Sequence, residues 1–316
     1  MKVMFAGNLN TLPYSYDHRG IRQGFEMLGV DYEILDFKEH YNGKTDIYIK
    51  IKQFEPNLII WGMTDALTEG MPEKTVSISN AKQVFCMWDY RPKELFYNGL
   101  WGQWIKQGKY LDLITLSNKE QIRWWEQEFG VKVIYLPHGC VIQKPQFDKD
   151  FRRECIFIGA RNNFYPYDRR VKLIDEIARK VNVTWLDAGG GDDSPERAKM
   201  WQDMAKYYYS SDTILDISHF WDIDGYTSGR YFYSAGLGGC CITKRFPGCD
   251  ALYPEGVKLY FDTVDSAIEK IELCLKNSSY VKDIKQKAWE WSKKYHNYKI
   301  RFTTLFHQLY GYSASI

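Results

Sequence analysis

The chain has little that would staple it, anchor it in a bilayer or draw it to a polyanion. Its seven cysteines are an odd number without regular spacing, and C-x-x-C and H-E-x-x-H are both missing. That argues against a disulfide framework and against a structural zinc. Cys86, Cys155, Cys240 and Cys241 lie in apolar, strand-like runs, so they read as small buried hydrophobes in a reducing, cytoplasmic compartment. No apolar run approaches the ~18 residues of a membrane span. The opening MKVMFAGNLN reads as strand and turn rather than as a signal peptide. Excess charge of one sign is also lacking: 42 Lys and Arg face 40 Asp and Glu, a net +2. No electrostatic argument then demands a nucleic-acid partner, although a local basic face balanced elsewhere stays open. No D-x-D closes a strand. Asp192-Asp193 and Asp222-x-Asp224 fall in loops, and no metal site is expected. No short-period repeat is visible.

What is present is alternation. A chain of 316 residues suits two α/β cores better than one. The first half predicts strands at 2–6, 32–37, 58–61, 83–88, 111–116 and 131–136. Helices are predicted between them at about 17–28, 45–54, 93–107 and 119–129, the last capped by Ser117. Around 141–153 the pattern turns polar, with Pro145, and reads as a linker. The rhythm then restarts, with strands at 154–159, 182–187, 213–218, 240–243 and 257–261. Helices are expected at 169–180, 195–209, 230–237 and 264–276, and one long helical segment at about 280–310. The predicted fold class is α/β: two tandem Rossmann-like domains facing a cleft. An N-terminal domain would span 1–142, a linker 143–153, a second domain 154–279 and a helical segment 280–316 that packs back on the first domain. Ligands of such sheets bind beyond the carboxyl ends of the strands.

The stretch DGYTSGRYFYSAGLGGCCIT, Asp224–Thr243, reads as loop, short helix and buried strand. Arg230, Tyr233, Ser234 and Leu237 share one helical face, and Gly236, Gly238 and Gly239 end the helix where positive φ or close packing is needed. A loop feeding a helix N-terminus at the carboxyl end of a parallel strand suits an anion. An ordinary helix–strand connection would carry the same glycine punctuation.

Four segments together resemble the GT-B glycosyltransferases, most closely the spore-protein glycosyltransferase-like branch. They are DLITLSNKEQIRWWEQEFGVKVIYLPHG at Asp112–Gly139, CIFIGARNNFYPYDRR at Cys155–Arg170, RYFYSAGLGGCCIT at Arg230–Thr243 and YHNYKIRF at Tyr295–Phe302. Their order and spacing agree over roughly 112–310. The resemblance implies a metal-independent transferase that moves a sugar from a nucleotide-sugar donor, a UDP-sugar being expected, to an acceptor hydroxyl. No other cofactor is implied. The second domain would hold the donor and the first the acceptor, and the resembled branch leans towards retention of anomeric configuration. In one place the chain departs from the pattern: Tyr233 stands where the family carries the Glu that binds the donor ribose.

The resemblance assigns donor-phosphate roles to Arg161 and Arg230 and places Gly7 and Asn8 in a loop near the acceptor and transferred sugar. Gly189 and Gly190 of a Gly-Gly-Gly run suit close backbone approach to the donor. His219, Tyr233 and Ser234 complete the donor candidates. Asp89, in MWDYRP after a strand, and His138, in LPHG, are the candidate acceptor bases. The plainer readings are a solvated loop Arg161, an ion-paired Arg230, a helix-capping Asp89 and a hydrogen-bonded loop His138. A glycan, a metabolite, a protein and a DNA base all stay open as acceptors. So do a viral-type DNA-modifying enzyme of the same fold, a degenerate sugar-nucleotide binder and a sugar-nucleotide epimerase.

Overall fold

The computed structural model describes residues 1–7, 16–62, 64–96, 99–144, 146–161, 166–187 and 195–311. The chain divides into two compact units, Met1–Leu12, Ile21–Pro137 and Lys299–Ile316 in one, Pro13–Gly20 and His138–Tyr298 in the other. Among the described residues no helix is long and apolar enough to cross a membrane.

In chain order the first unit contains β1 (Lys2–Gly7), α1 (Tyr16–Leu28, whose first turn belongs to the second unit), β2 (Asp31–Asp36), α2 (Phe37–Tyr41), α3 (Ile47–Phe54) and β3 (Leu58–Trp61). Then come α4 (Asp65–Thr68), α5 (Met71–Val76), β4 (Lys82–Met87), α6 (Trp101–Gln107), β5 (Leu113–Leu116), α7 (Ile122–Phe129) and β6 (Val133–Tyr135). The six strands form one parallel sheet in the order β2-β1-β3-β4-β5-β6. β3 and β5 are buried throughout and β1 from Val3 onward, as expected of a parallel sheet covered on both faces. The order reverses between β1 and β3, and this switch point opens a crevice at their carboxyl ends.

The second unit contains β7 (Cys155–Ile158), α8 (Asp168–Ala178), β8 (Val183–Leu186), α9 (Pro195–Ser210), β9 (Thr213–Asp216) and α10 (Gly229–Gly236). β10 (Cys241–Lys244), α11 (Cys249–Leu252), β11 (Leu259–Phe261), α12 (Val264–Lys276) and α13 (Ser278–Tyr295) follow. Its parallel sheet runs β11-β10-β9-β7-β8, so its switch point lies between β7 and β9. The last helix, α14 (Tyr298–Tyr310), belongs to the first unit from Lys299 onward. It packs on α1 through Phe302 stacked on Phe25, with ring centroids 4.3 Å apart. Lys82 Nζ donates to the Leu309 carbonyl at 2.7 Å and Arg301 Nε to the Pro137 carbonyl at 3.0 Å.

Three expectations are corrected. The single terminal helix breaks at His296-Asn297. The His296 ring packs 4.5 Å from Tyr253 and hydrogen-bonds the Leu252 carbonyl at 2.6 Å, while the His296 carbonyl accepts from Cys140 N at 2.8 Å. These contacts outbid continued helix. Ser117 does not cap α7: its hydroxyl donates to the Trp88 carbonyl at 2.7 Å, and the cap position is Gln121. The helix expected at 93–107 starts as one 3-10 turn at Lys93–Leu95 and becomes α-helical only at Trp101.

Candidate active site

α10 sits where the sequence placed it, and its Arg230 reaches the switch point of the second sheet. Arg230 Nε donates to the Ile158 carbonyl, the last of β7, at 2.5 Å, and Nη1 donates to the Ile217 carbonyl, just beyond β9, at 3.0 Å. Two strand ends therefore hold the guanidinium across the crevice. Its third contact is the α10 cap residue, whose Ser228 Oγ lies 3.5 Å from Nη1. Glycine at 159 makes this possible, because a Cβ there would stand 2.5 Å from Arg230 Nη2 and 2.9 Å from the Phe157 ring. Farther along, Gly238 takes φ +79° at the turn out of α10. Gly236 leaves no room for a side chain, since a Cβ there would stand 2.8 Å from Cys140 Sγ.

A second arginine joins it. Arg170, in the first turns of α8, is 1% exposed, and its Nη2 donates to the Ala160 carbonyl at 2.6 Å. The guanidinium carbons of Arg170 and Arg230 lie 5.2 and 4.7 Å from the centroid of the same Phe157 ring. Arg170 Nε has no hydrogen-bond partner, and among the described residues no carboxylate forms an ion pair with this guanidinium, although the charge of Asp187 acts on it. Burial, then the charge of Arg230, push its pKa well down from the ordinary arginine value. Burying a cation with an unused donor is costly; an incoming anion would relieve that cost.

His219, in the loop after β9, is the third member. Burial first, then Arg170 and Arg230, push its pKa down to about 3. The ring is neutral at ordinary pH, and its Nδ1 is buried without a partner. Its edge meets Tyr167 at 4.8 Å. Two arginines and an imidazole thus converge beside the N-terminus of α10, where helix N–H groups favour negative charge. The arrangement gathers positive charge at the crevice, with Arg170 Nε a donor in reserve.

The other expected residues fall in different places. Arg161 lies on the surface, paired with both oxygens of Asp175 at 2.9 and 3.2 Å, with its guanidinium 4.7 Å from the Trp185 ring. Tyr233 is 5% exposed, and its hydroxyl folds back over the first turn of α10, where a Cβ on Gly229 would lie 2.6 Å away. Ser234 is fully buried, with Cys241 Sγ 3.1 Å from its hydroxyl. His138 is buried in the second unit. In the first unit Gly7 ends β1, and a Cβ there would stand 3.0 Å from the Phe5 ring. Asp89 is exposed in the loop after β4; the cap of the 3-10 turn that follows is Pro92. Asn8, Gly189, Gly190, Asp192 and Asp193 lie outside the described residues.

The sequence reading missed Arg170. The signal was there: Arg170 shares the buried α8 stripe of Val171, Ile174 and Ile177, a position for an apolar residue unless charge is wanted inside. It also missed a buried ion pair beneath α10. Lys258 Nζ donates to Asp216 Oδ2 at 2.7 Å and to the Tyr231 carbonyl at 2.6 Å, and both charged side chains are almost fully buried. That pair braces β9 and β11 against the helix.

Residues 169–307 match the family model described as glycosyl transferase-like. No curated protein matches the chain in sequence. Among solved structures, Anabaena HepE in complex with UDP-glucose is 14% identical with a TM-score of 0.59, over 99% of this chain and 100% of that one. Sucrose-phosphate synthase from Thermosynechococcus elongatus is 10% identical with a TM-score of 0.64, over 98% and 100%. A putative UDP-N-acetylglucosamine 2-epimerase from Listeria monocytogenes is 11% identical with a TM-score of 0.52, over 99% and 97%. These likenesses establish the fold as GT-B, two Rossmann-like domains in tandem, and the family match makes 169–307 a glycosyl transferase-like region.

Proposed function

We propose that the chain is a metal-independent glycosyltransferase whose second unit binds the diphosphate of a UDP-sugar between Arg230, Arg170 and His219. The observation that carries this is the pair of arginines on one Phe157 ring at the β7/β9 switch point, with Arg170 Nε buried and unpartnered. The UDP and UDP-glucose of the HepE complexes supply the choice of nucleotide. Breaking the bond between the anomeric carbon and its phosphate oxygen leaves a nucleoside diphosphate with one more negative charge. Two fixed guanidinium groups and the α10 N-terminus meet that charge without reorganising. Tyr233, in place of a carboxylate, offers the ribose at most one phenol.

Asp89 is assigned the acceptor proton. It is exposed at the carboxyl end of the first sheet, where an acceptor hydroxyl can approach, and its carboxylate accepts a proton as the new bond forms. His138, being buried, is assigned a supporting role. Arg161 is assigned to the outer edge of the donor site, and Ser234 to the packing beneath it.

A thermal-shift panel of UDP-, GDP-, ADP- and dTDP-sugars tests the reading. A bound donor at a hundred times its dissociation constant adds about 2.7 kcal/mol. The UDP-sugars are expected to raise Tm, and Arg230→Gln to remove the rise. No shift from any nucleotide would overturn the assignment.

A further inference from the structure

α8 begins with two adjacent arginines, and only the second faces the anion site. The first, Arg169, turns to the loop 217–228 that carries His219. Its Nε donates to the His219 carbonyl at 2.8 Å. Its Nη1 and Nη2 donate to the two oxygens of Asp222 at 3.0 and 2.6 Å, and the guanidinium lies over the Trp221 ring at 4.0 Å. This is a planar fork fitted to a carboxylate and a carbonyl on one loop, a geometry that lysine does not reproduce.

The rest of the loop is tied at its base. Ser218 Oγ lies 2.9 Å from Thr227 Oγ1 and accepts from Ser228 N at 3.0 Å, which closes the two ends on each other. Gly225, at φ +72°, donates its N–H to the Pro247 carbonyl at 3.0 Å. The base tie fixes where the loop starts and finishes. It does not fix the backbone of His219, and Arg169 does.

We propose that Arg169 and Asp222 form a positioning clamp that sets His219, and with it the mouth of the anion site, for the nucleoside diphosphate. Arg169 touches no reacting atom in this scheme. It acts through the His219 backbone, and Asp222 holds the fork in register. The inference rests on the donor-site reading above.

The test uses Arg169→Gln, Asp222→Asn and, as a same-helix control, Lys172→Gln, an exposed lysine paired with Asp168. The His219 ring is followed by NMR titration, and UDP affinity by calorimetry. Charge alone and position predict opposite results for Asp222→Asn. Removing a negative charge beside Arg169 would hold the His219 titration where it is or push it lower. Releasing the loop would bring it up towards the ordinary histidine range. The clamp predicts the rise, faster amide exchange across 218–226, and UDP binding weakened by about tenfold, the scale of one charged hydrogen bond. Arg169→Gln is expected to weaken UDP more, Arg169→Lys to restore part of the loss, and Lys172→Gln to change nothing. UDP binding that is lost in Arg230→Gln but unchanged in both clamp variants would overturn the proposal alone. No UDP binding by the parent protein would overturn the donor reading, and the clamp's role with it.

Discussion

At the carboxyl ends of β1 and β3 the first sheet presents Gly7, Gly62 and the Phe5 ring, which stacks on Trp88 at 5.7 Å. At the carboxyl ends of β7 and β9 the second presents Arg230, Arg170 and His219. The two sheets reverse in the same sense, one in the order β2-β1-β3 and the other β8-β7-β9. Parallel topology makes a crevice in each. What enters it is decided by side chains. One crevice, among its described residues, is small-residue and aromatic, suited to a neutral, flat-faced ligand. The other is cationic with an unused donor in Arg170 Nε, suited to an anion. The glycines differ in purpose too: Gly62 makes room for an aromatic ring, whereas Gly159 makes room for a guanidinium.

The largest expected effect breaks the cationic crevice. Arg230→Gln removes a charge held by two carbonyls and should weaken UDP by about a hundredfold, taking ~1.5–3 kcal/mol for each charged hydrogen bond lost. Calorimetry reads it. The next sharpens the contrast between the glycines. Gly159→Ala and Gly62→Ala both overpack and should each cost about 1–3 kcal/mol of stability by denaturant melt. Only Gly159→Ala should also weaken UDP, because only there does the new methyl meet Arg230.

Acid separates the crevices further. His219 has a folded pKa of about 3, below the ~6.5 of an unfolded histidine. The unfolded chain then binds the extra proton, so stability is complete above the ordinary histidine value and declines as pH falls towards 3. His219→Gln should flatten that part of the Tm–pH curve. UDP affinity should not follow histidine protonation between pH 6 and 8, since the ring is already neutral. The smallest effect is expected from Tyr233→Phe. Loss of one neutral hydroxyl should change UDP affinity by less than about fivefold, which calorimetry would resolve.

Much of this fold was legible because parallel strands bury both faces and read as apolar runs, and because glycines mark the turns between them. β3 and α12 fall on the expected residues, and most other strands within a residue or two. The breaks were not legible. His296 ends a helix through Tyr253, Leu252 and Cys140, all remote in sequence. Arg230 could be found because a loop, a helix start and a cation were contiguous. Arg170 stands beside Arg169 in the chain, yet one is buried against the Ala160 carbonyl while the other clasps Asp222. Only helix phase distinguishes them, and the phase was visible in Val171, Ile174 and Ile177. Lys258 and Asp216 meet across 42 residues, a distance no local pattern encodes.

The central claim is that the β7/β9 crevice is built for a nucleoside diphosphate. It is tested most directly by titrating UDP into the parent protein and into Arg230→Gln, with both phosphorus resonances followed by NMR. The account predicts that both resonances move and saturate in the parent and, at the UDP concentrations that saturate the parent, stay close to their free positions in the variant, with circular dichroism unchanged. Equal movement in the two proteins, or none in either, would contradict it.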